Sequence, residues 1–227
     1  MKKINIAIDG FAGCGKSTTA KLVAEKLHYI YTDTGAMYRA VTLYLLTNKI
    51  DITNVKGVIS VLPYIHLSFE RNSEKKLEIY LNGESVELLI RSMEVSDRVS
   101  EVSAIPEVRR FLVEQQKKIA QKRGVVMDGR DIGTVVMPNA ELKFFMSANI
   151  NVRAKRRQQE LLSKGQSATI EEIILNMEKR DQIDTSRTEG PLKKADDAIE
   201  IDTSDMSIEQ QVQIILDLVE ERVFNIA

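Results

Sequence analysis

The sequence predicts an α/β fold: a five-stranded parallel sheet flanked by helices, with a small antiparallel β-sheet inserted. Three observations carry this expectation. Strand-like apolar runs alternate with helix-like segments along most of the chain, the arrangement that buries a parallel sheet on both faces. Gly10 to Ser17 read G-F-A-G-C-G-K-S, a full match to G-x-x-x-x-G-K-[ST] placed between a strand and a helix. Asn82-Gly83, flanked by strand-like runs in the middle of the chain, is a strong hairpin signal.

The first strand is read at Ile4-Asn5-Ile6-Ala7-Ile8, and the helix behind the glycine loop at Thr18 to Leu27. Tyr29-Ile30-Tyr31 is a short strand ending at Thr32-Asp33-Thr34-Gly35, followed by a helix from Ala36 to Leu46. The alternation then breaks. His66 to Glu70 and Lys76 to Leu81 read as strands, with Ser85 to Leu88 as the returning strand. Helices are expected from about Ser92 to Val102 and from Glu107 to Arg123. The sheet resumes at Val125-Val126-Met127, which ends at Asp128-Gly129-Arg130-Asp131, and at Leu142 to Met146, ahead of a charged helix from about Asn151 to Ser163. Glu189-Gly190-Pro191 stops a helix. Ala198 to Ile201 is the last strand, and the C-terminal helix begins near Ser207. Polar clusters close the strands, where ligands gather in sheets of this kind.

The chain's 227 residues suffice for one α/β domain with a sizeable core. A net charge of −1 supplies no global field toward nucleic acid or acidic lipid. No apolar stretch approaches the roughly 20 residues of a membrane span, and the run after Met1-Lys2-Lys3 is too short for a secretory signal. Cys14 is the only cysteine, so no intramolecular disulfide forms, and it reads as a small filler in the loop. His28 and His66 stand apart, which argues against a histidine metal site or a Ser-His-Asp triad. A cytoplasmic protein with no membrane or nucleic-acid partner is expected, and a monomer.

The glycine loop states its own chemistry. Its glycines let several backbone N–H groups point at one anion, and the helix behind adds positive dipole. Gly10, Phe11, Ala12, Gly13, Cys14, Gly15, Lys16, Ser17 and Thr18 are thus expected to cradle a chain of phosphates. Lys16 would reach the β- and γ-phosphates and the Ser17 hydroxyl would ligate Mg²⁺. Asp128, ending a buried strand, either holds a Mg²⁺-bound water or fixes loop structure.

Together with Asp33-Thr34-Gly35-Ala36-Met37-Tyr38-Arg39, the block Asp128-Gly129-Arg130-Asp131-Ile132-Gly133-Thr134-Val135-Val136, and Arg180-Asp181 through Asp184 to Arg187, the loop resembles the bacterial cytidylate kinases, within the P-loop nucleoside monophosphate kinases. The motifs occur in the family's order and span essentially the whole chain. The resemblance implies a single P-loop kinase domain, 1–227, with a monophosphate-binding region inserted at about 62–105 and a helical lid at about 151–190. It implies transfer of the γ-phosphoryl group of ATP to CMP or dCMP. Arg109, Asp131 and Thr34 match the positions that read the cytosine edge; the family often has serine where this chain has Thr34. Arg39 and Arg130 match positions that hold the monophosphate. Ser100, Arg180 and Asp184 match positions around sugar and phosphate, and Arg187 a phosphate-facing arginine.

The residues suit that chemistry. Paired guanidinium donors and a carboxylate acceptor complement cytosine, whereas the O4 of uracil would face the carboxylate. The nucleophile is a phosphate oxygen already anionic at neutral pH, so no general base is nominated and catalysis rests on positioning and charge neutralisation. Lys16, Arg153, Arg157, Arg180 and Arg187 are the catalytic candidates. Arg180, Asp184 and Arg187, spaced four and three apart, would share one helix face. For Arg153, Arg156 and Arg157 a solvated helix face is as good a reading for any single residue. An i,i+4 ion pair is the plain alternative for Arg180 and Asp184, and Asp9 is read as shaping the loop.

Three rival readings compete for the same motifs. Asn48-Lys49-Ile50-Asp51 matches the N-K-x-D by which GTPases read guanine, but it closes a helix far too early in the chain. The basic run Arg153 to Arg157 lacks the interleaved aromatics of an RNA-binding surface. A P-loop kinase for another small acceptor, such as shikimate, shares the glycine loop but not the Arg130-Asp131 block.

Overall fold

A computed structural model describes residues 3–74, 76–163 and 165–224. Met1 and Lys2 of the basic N-terminus, and Lys164 of the expected lid, lie outside the described residues. In chain order the elements are β1 (Ile6–Gly10), α1 (Lys16–Leu27), β2 (Ile30–Asp33), α2 (Thr34–Thr47), α3 (Val55–Val61), β3 (Leu67–Arg71), β4 (Leu77–Leu81), β5 (Glu84–Ser85), α4 (Met93–Ala104), α5 (Pro106–Ala120), β6 (Val125–Gly129), β7 (Leu142–Ser147), α6 (Ile150–Ser163), α7 (Ile170–Ser186), β8 (Ile199–Asp202) and α8 (Ile208–Phe224). They form two units, Met1–Thr32 with Lys117–Ala227, and Asp33–Gln116. The second extends on both sides of the 62–105 stretch.

The first unit is built on the expected five-stranded parallel sheet, in the order β2-β6-β1-β7-β8. β1 and β6 are buried along their whole length, as strands covered on both faces must be. Ile8 stands opposite both Asp128 and Phe144, which fixes the register of the central three strands. Ile6, Ile8, Val126, Phe144 and Met146 pack with Ala20 and Val23 of α1 and with Val212 and Ile215 of α8. Parallel strands with this register bring Gly10, Gly129 and Ser147 together at the carboxyl ends of the three inner strands. α6 and α7 pack on each other through Ala154, Leu161, Ile173 and Met177. Thr169 and Glu172 close a capping box at the start of α7.

The second unit holds the antiparallel sheet β3-β4-β5. Asn82 (φ 51°) and Gly83 (φ 88°) both take the left-handed conformation that a two-residue hairpin loop demands. The core combines Met37, Val41 and Leu45 of α2 with Ile79, Ile90, Val102, Val108 and Leu112.

Four local readings change. The returning strand is shorter than Ser85 to Leu88: pairing ends at Ser85, and Val86 turns into the core ahead of a 3₁₀ turn at Leu89–Arg91. α3 was not anticipated; Asn54 caps it by accepting from Gly57 N. After Asp131 the chain winds one π-helical turn, Ile132–Val136, which no periodicity in the sequence marks. Arg187 does not share a helical face with Arg180 and Asp184, because it is the C-cap of α7 with extended backbone (ψ 147°). Asn48 does close α2, and Lys49 follows in the left-handed conformation, so that motif is a helix end.

Candidate active site

The glycine loop leaves the carboxyl end of the central strand, between β1 and α1. Gly10 lies so close to β7 that a Cβ there would sit 1.9 Å from the Met146 carbonyl oxygen. Gly15, at φ 92°, is the N-cap of α1 and makes no side-chain cap, so the first amides of the helix stay available to an anion. Lys16 is buried, and its Nζ donates to Phe11 O at 2.5 Å and lies 3.7 Å from Cys14 Sγ. Burial holds the Lys16 ammonium below the ordinary lysine range, and Arg130 adds to that effect. Cys14 is fully buried and donates to Phe11 O. Thr203, beyond β8, ties the loop down: its Oγ1 is 2.9 Å from Cys14 O.

Ser17 Oγ donates to Asp128 Oδ2 at 2.7 Å, and Tyr31 OH donates to Asp128 Oδ1 at 3.0 Å. A hydroxyl and a carboxylate at the foot of the loop are hard oxygen donors of the kind Mg²⁺ takes, and they leave most of its shell to water and phosphate oxygens. The site therefore fits that ion. Asp9 accepts from Ile132 N at 2.8 Å and from Gly133 N at 2.7 Å. Burial pushes its carboxyl up to about 7, with the two amides opposing and Asp131 adding.

Around the loop the arginines are held by carboxylates. Arg130 Nε donates to Asp184 Oδ2 at 2.8 Å. Arg187 donates to Asp184 Oδ1 at 3.4 Å and to Gly190 O at 2.8 Å, and lies 3.8 Å from Asp131 Oδ1. Burial would raise the Asp184 carboxyl, but Arg130 and Arg187 outweigh it and hold it below the ordinary range. Arg153 Nη1 donates to Asp181 Oδ2 at 2.7 Å and to Ala12 O at 3.3 Å, and its guanidinium stacks 5.2 Å from the Phe11 ring. Arg180 is half-buried beside Asp184. Arg156 and Arg157 go elsewhere: Arg156 donates to Thr203 O at 2.6 Å, and Arg157 pairs with Glu160 one turn along α6.

The second unit carries Thr34, Arg39, Ser100 and Arg109. Asp33 caps α2 by accepting from Ala36 N and pairs with Arg91 at 3.2 Å. Thr34 is the first residue of α2 and Ser100 lies within α4, and both are buried. Arg39 Nη1 lies against Gly35, 3.0 Å from where a Cβ would be. Arg109 is 2% exposed; its guanidinium stacks 5.5 Å from the Tyr38 ring and donates to Ser103 O at 3.3 Å.

Sequence reasoning overlooked Tyr31 and Asp181. Asp181 was visible as part of Arg180-Asp181, but its partner Arg153 lies 28 residues away. Nothing in the sequence marks Tyr31 as more than a strand residue.

A family model for cytidylate kinase matches residues 6–221. A cytidylate kinase of Cytophaga hutchinsonii is 58% identical over 219 residues, covering 96% of this chain and 94% of that protein. One of Flavobacterium johnsoniae is 52% identical over 225 residues, covering 97% and 98%. Among solved structures, an uncharacterized protein from Eubacterium ventriosum has a TM-score of 0.52 at 14% identity, covering 97% of this chain and 99% of its own, which is a likeness of fold alone. No described helix is long and apolar enough to cross a membrane. Matched from its first strand into its last helix, and carrying a phosphate loop ringed by carboxylate-held arginines, the chain belongs to the cytidylate kinase family.

Proposed function

We propose that this protein transfers the γ-phosphoryl group of ATP to CMP or dCMP, giving ADP and the nucleoside diphosphate. The observation that carries the reading is the ring of Lys16, Arg130, Arg153 and Arg187 around one glycine loop, each cation held by a carbonyl or carboxylate that an incoming phosphate can replace. Two polyanions must be brought in line, and cations preset at the loop do so without reorganising. Gly10 to Thr18 take the triphosphate of ATP. Ser17, with Asp128 behind it, would hold Mg²⁺, which neutralises charge on the β- and γ-phosphates.

Arg39 and Arg130 are assigned to the acceptor phosphate, Ser100, Asp184 and Arg180 to sugar and phosphate, and Thr34, Arg109 and Asp131 to the cytosine edge. Lys16, Arg153, Arg180 and Arg187 are assigned to the transferring group; Arg157 joins them only by leaving Glu160. The hairpin of α6 and α7 acts as the lid that excludes water, so that water does not replace CMP as acceptor. The protein works as a cytoplasmic monomer.

ADP release measured across CMP, dCMP, UMP, AMP, GMP and shikimate tests the reading. CMP and dCMP are expected to lead, with UMP at least 100-fold lower in kcat/KM, because a carboxylate facing O4 leaves buried groups unpaired. Equal kcat/KM for UMP and CMP would sink the assignment of the base-reading residues, and preference for shikimate the whole reading.

A further inference from the structure

Asp9 is absent from the phosphate-contacting set, yet both its oxygens are committed. It is 4% exposed and is the residue immediately before Gly10, where the glycine loop leaves β1. Oδ1 accepts from Ile132 N at 2.8 Å and Oδ2 from Gly133 N at 2.7 Å. Those two amides open the π-helical turn Ile132–Val136, whose N-cap is Asp131, one residue after Arg130. The Asp131 side chain makes no cap of its own there. A carboxylate reaching across from the neighbouring strand therefore replaces the missing local cap.

We propose that Asp9 is a positioning residue that sets the spacing between the loop holding the phosphoryl donor and the Arg130-Asp131 segment assigned to the acceptor. The inference rests on the kinase reading above. The backbone of Asp9 leads into Gly10, while its side chain pins the first two amides beyond Asp131, so one residue is rigid to both. β1 and β6 are already paired, with Asp9 opposite Gly129. That pairing ends at the sheet edge, and the Asp9 carboxylate carries the register three residues further. π-helical geometry is rare, occurs mostly as single turns and is frequent at functional sites, and here the first two amides of the turn are both held by Asp9. In-line transfer depends on this spacing steeply, since a misplacement of about 1 Å can cost 100-fold.

The test is steady-state transfer from ATP to CMP by the full chain carrying Asp9→Asn, assayed below its thermal transition. The amide keeps the volume but turns an NH₂ toward one of the two amide donors. The expected result is a kcat reduced about 30- to 100-fold, with KM for ATP and for CMP each within threefold of wild type. A purely structural role lowers Tm and leaves kcat of the folded protein unchanged; a kcat within twofold of wild type overturns the proposal. So does a loss confined to either KM. Asp9→Glu keeps charge and acceptors but adds a methylene. It is expected to lose kcat as well; wild-type kcat in this variant would mean that charge, not spacing, matters, and would overturn the proposal. Should Asp9→Asn fail to fold, Asp9→Glu carries the same comparison. If wild type does not phosphorylate CMP, the kinase reading fails instead, which the same assay shows separately.

Discussion

Asp184 stands between two arginines, accepting from Arg130 Nε at 2.8 Å on one oxygen and from Arg187 Nη1 at 3.4 Å on the other. It is 4% exposed and is reached from a different element by each partner: Arg130 from the end of β6, Arg187 from beyond α7. One carboxylate thus presets two cations that are distant in sequence. Replacing it by an amide removes the carboxylate that the two guanidinium groups share and leaves Asp131, 3.8 Å from Arg187, as a nearby anion.

Asp184→Asn is therefore expected to destabilise the fold by about 3 kcal/mol, the cost of breaking a buried pair from one side. Denaturant titration of the two proteins checks it. A loss below about 1 kcal/mol would show that Asp131 and Asp181 take over both arginines. Transfer to CMP should fall as well, with most of the loss in KM for CMP, since Arg130 is no longer held in place.

Ser17→Ala removes the hydroxyl that donates to Asp128 but leaves the Tyr31 hydrogen bond to the same carboxylate. Stability should change by about 1 kcal/mol or less, the net worth of one hydrogen bond. The Mg²⁺ concentration at half-maximal ADP release should rise tenfold or more. An unchanged Mg²⁺ requirement would remove Ser17 from the metal site.

Asp9 and Asp184 respond to pH in opposite senses. The Asp9 carboxyl is raised by burial from 3.8 to about 7, so the folded state binds a proton that the unfolded chain releases. Its contribution to stability is fully present below about pH 4 and is lost as pH rises through 7. Asp184 is held below 3.8, and its contribution is present above that value and lost as pH falls through the folded value. Comparing wild type with Asp9→Asn isolates the first. Between pH 4 and 7.5 wild type should lose on the order of 4 kcal/mol relative to the variant. Parallel stability curves would contradict the raised value.

What the sequence disclosed was local. The glycine loop was legible because the strand before it, the glycines and the helix after it are contiguous, and the apolar runs around Ile6 and Val126 marked two inner strands. Sheet order was not legible, since β6 lies beside β1 only through pairings between residues some 120 positions apart. The same distance hid the partners of the arginines. Arg153 and Arg156 are neighbours on α6, yet one reaches Asp181 and the phosphate loop and the other Thr203. Their fates differ because each points to a different element, which spacing along one helix cannot reveal. The turn at Ile132–Val136 escaped for a related reason: its stabilising carboxylate belongs to another strand.

Gly10 and Gly83 separate two costs of adding a methyl group. Both have positive φ, 146° and 88°, where an L side chain is strained. Around Gly83 a Cβ meets nothing within 4 Å, so Gly83→Ala carries the conformational cost alone, about 1–2 kcal/mol. At Gly10 the added carbon would lie 1.9 Å from Met146 O and 2.8 Å from Met146 C, both main-chain atoms of β7. Backbone in a central strand cannot step aside, so β1 and β7 must part where Gly10 pairs with Met146. Gly10→Ala should exceed Gly83→Ala by at least about 3 kcal/mol, in the range reserved for strain and overpacking in a core. It should also abolish ATP binding, because the loop starts at that residue, whereas Gly83→Ala should keep wild-type affinity. Denaturation with and without ATP measures both quantities. Equal destabilisation by the two substitutions would mean that the loop and β7 are not in contact at Gly10.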